Sequence, residues 1–375
     1  MLSHRNDAAS ISFPSSGITR WGGMILCFLL LLWSKIVTAQ SPPEVPQPIV
    51  PQPIGTQPKT GSTPTNPALL PKPASTDLTE SPKGTITPNK QGNPWKGKIV
   101  LPKDIGITFY YQDKEKKWQT GGPLRGLSLV AEGGDDQWVA MRQGALQVWV
   151  LKDKVVELSK AVDYFTSIIQ QHADQPAGYA RRGWAYRLLG KYDEAINDYN
   201  EAIRLNPSFA AGWNNRATIW QFKGEFDKAI SDYTEAIRLE PKFAMALKNR
   251  GDLYAMQQKY DLALKDYDQA ISTYENDHVT LNAKAWLLAT CPDSKYRDSK
   301  KAKELVDKAI ELTRGRVPRY IGTLAAVAGE RGEYTEALRL LDSVMRDEAY
   351  MRWFGKTAEA MKRKFIRQQP YRDEP

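Results

Sequence analysis

The sequence predicts a mainly α-helical protein, an α-solenoid of about five and a half helical hairpins that follows a small all-β, barrel-like domain. Residues 176–277 divide into three blocks of 34 residues that share one pattern of small and aromatic side chains. Five short β-prone runs, separated by turn-forming residues, precede these blocks in residues 95–156. Further segments with the spacing of the blocks continue the helical pattern towards residue 375.

The blocks place small residues where two antiparallel helices would cross. Gly183, Ala217 and Gly251 recur at the same position of successive blocks, and a close crossing of two helices needs a small side chain on at least one of them. Glycine also separates the two helices of the first two blocks, where a left-handed turn is needed. In the third block Gln258 stands in that place, so we expect it to adopt the same turn.

This period and spacing resemble the tetratricopeptide repeat. The resemblance implies repeats at 176–209, 210–243, 244–277, 278–314, which is divergent with about five extra residues in its turn, and 318–348. Residues 157–175 match the second helix of a repeat and would cap one end of the array. Residues 349–375 form a capping helix and tail, in which Ala358, Met361 and Phe365 share one face. The run AWLLATCPD and the Pro-Tyr-Arg tail resemble tetratricopeptide proteins that bacteria secrete.

Residues 95–156 contain the runs KIVLP, ITFYYQ, LSLVA, QWVAMR and LQVWV. We expect turns at Gly121-Gly122-Pro123 and at 133–136. The second half, with Trp138-Val139 and Trp149-Val150, resembles bacterial Src-homology-3-like domains, although Val148 replaces the glycine usual before the second tryptophan. The two tryptophans are interpreted either as core side chains or as a groove for a peptide or a cell-wall stem.

Residues 1–39 read as a signal peptide. Arg5 and Arg20 precede the apolar run 21–33, and Val37 and Ala39 suit the sites before a signal-peptidase cut. This predicts an exported protein of the periplasm or cell envelope, with an uncleaved membrane anchor as the alternative. Residues 40–94 hold fourteen of the 24 prolines, so they are predicted to be a disordered, extended linker.

Function is expected on the concave side of the repeats. The resemblance implies that the first helix of each repeat lines this side, where amides can bind the backbone of an extended peptide and aromatic side chains can hold its anchors. A solvated surface without a ligand is the alternative. Repeats that clamp a carboxyl terminus need a specific set of side chains, which Ala180 and Trp184 interrupt. The candidate peptide-binding residues are Arg181, Trp184, Arg187, Asn214, Asn215, Thr218, Phe222, Lys248, Asn249, Asp252 and Met256.

Arginine and aspartate recur together in the blocks. Arg182, Arg216 and Arg250 are each followed sixteen residues later by aspartate, at Asp198, Asp232 and Asp266. We expect these pairs to form a repeated ladder of ion pairs. The alternative is an arginine that packs its stem on the core and keeps its head in water.

Catalysis, metal binding and cofactors are not predicted. After residue 39 the chain has only His172, His278 and the single Cys291, and it has no phosphate-binding glycine motif. The formal charge of +9 is concentrated outside the central repeats. This distribution and the export signal both argue against nucleic acid as a partner. The basic segments 295–303 and 362–367 are explained by lysines that are simply solvated. The predicted partners are other proteins, with the cell wall as an alternative and membrane contact only through an uncleaved first segment.

Overall fold

The computed structural model describes residues 95–104, 107–112, 118–123, 129–134, 137–143 and 146–373. The predicted signal peptide and linker lie outside the described residues. The chain divides into two compact units, whose described parts are residues 95–280 and 281–373. Each unit is described separately.

The first unit begins with a seven-stranded antiparallel sheet in the order β3-β2-β6-β5-β4-β1-β7. No pairing of β3 with β7 occurs among the described residues, so closure into a barrel and the Src-homology-3-like assignment stay predictions. The strands are β1 Ile99–Pro102, β2 Thr108–Gln112, β3 Trp118–Pro123, β4 Leu129–Gly134, β5 Trp138–Gln143, β6 Leu146–Leu151 and β7 Val155–Glu157.

Two of these strands are absent from the sequence prediction, and one predicted turn is wrong. Gly121-Gly122-Pro123 lies in β3 rather than in a turn, because β3 pairs along its length with β2. The three-residue strand β7 pairs with β1 and is too short to show a period of its own. Gly133 and Gly134 end β4. In these cases the pairing of strands decides the conformation, and for β7 the partner strand β1 is distant in sequence.

One of the two tryptophans singled out by the sequence is buried. Trp138 is 3% exposed, and its ring meets that of Tyr110 edge-on, with the ring centres 5.2 Å apart. Met141, Val148 and Val150 are fully buried in the apolar cluster of the sheet, to which Trp138 does not belong. Trp138 is therefore a packing residue, whereas Trp149 is half-buried.

Helical hairpins follow the sheet directly. A single helix, α1, is followed by three pairs of helices: α1 Leu158–Gln171, α2 Pro176–Leu188, α3 Tyr192–Leu205, α4 Ala210–Phe222, α5 Phe226–Leu239, α6 Ala244–Met256 and α7 Tyr260–Thr273. Gly190 and Gly224 have φ of 73° and 78° in the turns of the first two pairs, and Gln258 has φ of 59° in the third. The left-handed turn expected of Gln258 is confirmed.

Small residues let the paired helices approach each other. A Cβ added at Gly183 would lie 3.2 Å from the ring of Tyr199, and one at Gly251 would lie 2.9 Å from the ring of Tyr267. Tyr199 and Tyr233 are fully buried at the centres of the first two pairs. The recurring glycine or alanine and the recurring tyrosine thus fill one space together.

The arginine–aspartate ladder is confirmed. In each hairpin the guanidinium donates two hydrogen bonds to both carboxylate oxygens, at 2.7–2.9 Å. The third nitrogen, Nη1, donates to a polar side chain of the preceding helix of the array at 2.7–3.1 Å. Every arginine therefore joins its own hairpin to the one before it. The three acceptors on the preceding helix are Thr166, Asn200 and Thr234.

The second unit continues with helices. Its core contains Ala358, Met361 and Phe365, all buried, as their shared face predicted, and Cys291 is buried too. Beyond α12 the residues Pro370–Asp373 have no regular secondary structure. The helices are α8 His278–Thr290, which begins in the first unit, α9 Ser299–Thr313, α10 Pro318–Glu330, α11 Tyr334–Val344 and α12 Glu348–Ile366.

Candidate peptide-binding face

The eleven candidate residues lie on α2, α4 and α6, the first helices of the three hairpins in the first unit. We call this surface the inner face. Trp184 and Asn214 are buried, and the other nine are partly accessible. Most side chains of the inner face therefore pack against neighbouring residues and are still partly accessible to solvent.

The β domain covers the first end of the inner face. Arg181 donates to the backbone oxygen of Lys103 and forms a 3.0 Å ion pair with Asp104, both just after β1. Trp184 packs with Leu101 of β1 and with Phe165 of α1. These two candidates hold the β domain against the helices, so they are not accessible to a peptide in this arrangement.

Arg187 marks the point where the inner face becomes accessible. Its guanidinium lies 3.9 Å from the ring centre of Trp184 and 5.8 Å from that of Phe222. Phe222 in turn stacks on Tyr192, with ring centres 5.9 Å apart and planes inclined by 8°. Burial lowers the pKa of Arg187. The aromatic rings keep the planar cation in one orientation.

The middle of the inner face is polar and internally hydrogen-bonded. The Asn214 amide donates to Asn215 at 3.2 Å, and the Thr218 hydroxyl donates to the backbone of Asn214 at 3.0 Å. The Tyr233 hydroxyl donates to Gln221 at 3.0 Å and lies 3.2 Å from the Thr218 hydroxyl, which can donate either to it or to the Asn214 backbone. These bonds fix the directions in which the amides can offer donors and acceptors.

The last candidates are on α6. Lys248 and Asp252 form a 2.6 Å ion pair, and the Tyr267 hydroxyl donates to Asp252 at 2.8 Å. Burial and the nearby carboxylate of Asp252 raise the pKa of Tyr267 well above its usual value. The opposite charges of Lys248 and Asp252 therefore neutralise each other. Asn249 and Met256 remain partly accessible at this end.

Four side chains of the inner face were missed by the sequence reasoning. Gln221 belongs to α4, and Tyr199, Tyr233 and Tyr267 come from the second helices of the hairpins. The tyrosines recur every 34 residues and were assigned to packing alone, yet the hydroxyls of Tyr233 and Tyr267 reach inner-face residues. The choice of tyrosine over phenylalanine at this repeated position is the signal that could have identified them.

In the described part of the chain, no group of three or more His, Cys, Asp or Glu residues could hold a metal ion. None of the helices described combines the length and apolar character needed to cross a bilayer. The inner face offers a ligand hydrogen-bonding groups, aromatic rings and charged groups.

Comparisons with known proteins agree with the repeat structure. Tetratricopeptide repeat profiles match residues 176–209 and 221–278. Tetratricopeptide repeat protein 36 of Caenorhabditis elegans is 33% identical over 107 residues, which is 28% of this chain and 50% of that protein. The match thus spans about half the length of this relative.

Solved structures match the chain at lower similarity. YrrB, described as a tetratricopeptide protein with an unusual peptide-binding site, is 17% identical with a TM-score of 0.41, over 52% of this chain and 99% of YrrB. A repeat protein from Parabacteroides merdae is 21% identical with a TM-score of 0.42, over 56% of this chain and 86% of its own. The segments 176–209 and 221–278, which match tetratricopeptide repeat models, include helices of the three hairpins on which the inner face lies.

Proposed function

We propose that the protein is a non-enzymatic scaffold that binds extended peptide segments of other proteins on the inner face of its repeats. The bound segment would run from Arg187 across Asn215 and Thr218 to Asn249 and Met256. Amides would meet its backbone, and Phe222 and Met256 would contact its apolar side chains. This length of the inner face is what the β domain leaves accessible.

The observation that supports this proposal is the hydrogen-bond network around Tyr233. Thr218, Gln221 and Asn249 are held by this buried hydroxyl, so their remaining polar atoms are oriented before a ligand arrives. A surface that is already ordered loses little conformational entropy on binding. Solvated surface side chains without a binding role need no such support from the core.

The test is chemical crosslinking in cells that express the full chain, followed by identification of the crosslinked peptides. Asn215→Ala and Asn249→Ala should reduce the crosslinked partners severalfold. Lys228→Ala, which changes an exposed side chain on α5, is the matched control and should leave them unchanged. Identical partner lists for all variants would exclude the inner face as the binding surface.

We propose export to the cell envelope as the setting of this scaffold, as the first 39 residues predict. The supporting features are the apolar run 21–33 and the small residues at 37 and 39. Amino-terminal sequencing of the protein from fractionated cells tests this proposal. A mature start at Gln40 supports it, and a retained Met1 in the membrane fraction supports the uncleaved anchor.

A second candidate function is adhesion to the cell wall through the β domain. A cleft between β7 and α1 is lined by five lysines, together with Trp95 and Tyr164. Two of the lysines are ion-paired with Glu157 and Asp153, and the Lys103 ammonium lies 5.0 Å from the ring centre of Tyr164. An excess of cations beside aromatic rings suits the carboxylates of peptidoglycan stem peptides.

Sedimentation with purified peptidoglycan separates this candidate from the first. The full chain carrying Lys103→Gln and Lys160→Gln should sediment severalfold less than the wild type. Lys242→Gln with Lys259→Gln removes the same charge from exposed positions on the repeats and should have no effect. Equal sedimentation of both double variants would leave the peptide scaffold as the sole candidate.

A further inference from the structure

Arg187 differs from the other arginines of its helix. Arg181 is bonded to the β domain, and Arg182 is held by Asp198 in the ladder. Among the described residues, no carboxylate lies within ion-pair distance of Arg187. Its Nε is shielded from solvent and has no hydrogen-bond partner. A cation on a peptide-binding face is thus partly desolvated and left without a counter-charge.

Two aromatic rings contact Arg187, but no anion faces it among the described residues. The ionisable groups that influence its guanidinium are the phenols of Tyr192, Tyr199 and Tyr233, and none is a carboxylate. The Tyr199 hydroxyl is itself buried without a hydrogen-bond partner, as is the Oδ1 atom of Asn214. Buried polar atoms in folded proteins are nearly always paired. With the indole Nε1 of Trp184, which also lacks a partner, four unpaired atoms on the neighbouring helices α2, α3 and α4 indicate a site that an external ligand completes.

The second unit shows how such a position is filled elsewhere in this chain. Trp286 is the ninth residue of α8, as Trp184 is of α2. The Trp286 indole donates to the carboxylate of Asp373 at 2.8 Å, and its ring lies 6.0 Å from that of Tyr371. The Asp373 amide also donates to the Thr290 backbone oxygen at 2.9 Å. Here a first helix binds a non-helical segment through an aspartate side chain.

On α2 the same position is already occupied by the β domain, since Trp184 is buried against it. The accessible group one turn further along is Arg187. Its ring contacts hold the guanidinium flat, and a flat guanidinium can present two parallel N–H groups to one carboxylate. At the far end of the face, Lys248 is neutralised by Asp252. Recognition of charge on the inner face is therefore concentrated at Arg187.

We propose that Arg187 anchors an aspartate or glutamate side chain of the extended segment bound to the inner face. This rests on the proposed function and names the chemistry of its ligand. The carboxylate fits the uncompensated cation by charge, and an acidic side chain within a non-helical segment is what α8 already binds in the second unit. The acidic residue would be bound at the end of the segment nearest the β domain.

Selection from a synthetic peptide library tests the proposal. The library consists of randomised eight-residue peptides that are acetylated and amidated, so that carboxylates occur only in side chains. The full-length wild type, immobilised, should retain peptides enriched in Asp or Glu at one position. Arg187→Gln should lose that enrichment, and individual acidic peptides should bind it about tenfold or more weakly. Arg204→Gln removes an equally charged but exposed arginine and should behave as the wild type.

The possible results separate the two proposals. Acidic enrichment that is equal on the wild type and on Arg187→Gln would overturn the role of Arg187. Peptides retained by both proteins without acidic enrichment would overturn it too, while supporting the peptide scaffold. Failure of the wild type to retain any peptide would count against both. A parallel library of peptides with free carboxyl ends and no acidic residues tests whether Arg187 binds a terminal carboxylate instead. If Arg187 is needed only for retention of this second library, the assignment to an acidic side chain is overturned.

Discussion

The ladder of arginine–aspartate pairs predicts a large loss of stability when one arginine is removed. Arg216 is the middle pair, and its side chain and that of Asp232 are 18% and 8% exposed. Replacing Arg216 by methionine keeps the apolar stem but removes both hydrogen bonds to Asp232 and the bond to Asn200. The carboxylate of Asp232 is then left nearly buried without a cation.

The size of the effect follows from these contacts. A hydrogen bond to a charged group contributes about 1.5–3 kcal/mol, and loss of one partner from a buried pair costs about 3–5 kcal/mol. The partial exposure of Arg216 lets water approach the carboxylate and reduces this figure. We expect Arg216→Met to lower the free energy of unfolding by about 2–4 kcal/mol.

Urea unfolding followed by far-ultraviolet circular dichroism measures the loss, with Arg204→Met as the matched control. Arg204 pairs with Glu201 on the exposed face of α3, and their side chains are 66% and 34% exposed. Such an exposed pair contributes little to stability, because water screens both charges. A second variant carrying Arg216→Met and Asp232→Leu should recover most of the loss, because neither charge then remains buried. The reasoning is refuted if Arg216→Met is no more destabilising than Arg204→Met.

Three further outcomes are expected. Gln258→Gly should stabilise the protein by about 0.5–1 kcal/mol, because glycine adopts the observed φ of 59° without strain; thermal unfolding checks this, and a lower melting temperature would contradict it. Gly329→Ala should destabilise the second unit by about 1–3 kcal/mol, because its Cβ would lie 2.2 Å from the Phe365 ring; unchanged urea unfolding would contradict it. Burial raises the pKa of Asp373, so the folded state binds the proton more tightly and the wild type loses stability as pH rises from about 4. Asp373→Asn, whose amide oxygen can still accept from Trp286, should lack that loss, and parallel pH profiles of unfolding would contradict the assignment.

The repeats could be predicted from sequence because their contacts are local and periodic. Each ladder pair joins residues sixteen apart within one hairpin, and Gln258 occupies the turn position at which two other hairpins have glycine. The same logic fails for the sheet. Trp118–Pro123 becomes a strand only because it pairs with β2, and β7 has three residues whose partner β1 lies far earlier in the chain.

The candidate site shows the same division. The period of 34 placed eleven residues on the first helices of three hairpins, and they lie on α2, α4 and α6; their shared role in binding stays a prediction. The period could not reveal that Arg181 and Trp184 are covered, because the contact of Arg181 with Lys103 joins residues 78 positions apart. It also could not show which polar atoms lack partners, since that depends on the packing of three helices at once.

Helix α2 carries arginines that stabilise the fold as well as one that we assign to ligand binding. It contains three arginines within seven residues, and each has a different neighbour. Arg182 meets an aspartate of its own hairpin, Arg181 meets the β domain, and Arg187 meets two aromatic rings and no carboxylate. Arg187→Met should leave the free energy of unfolding nearly unchanged, because the cost of burying an unpaired cation opposes the stabilisation from its two ring contacts. That result would show that the charge of Arg187 contributes to binding a partner rather than to folding.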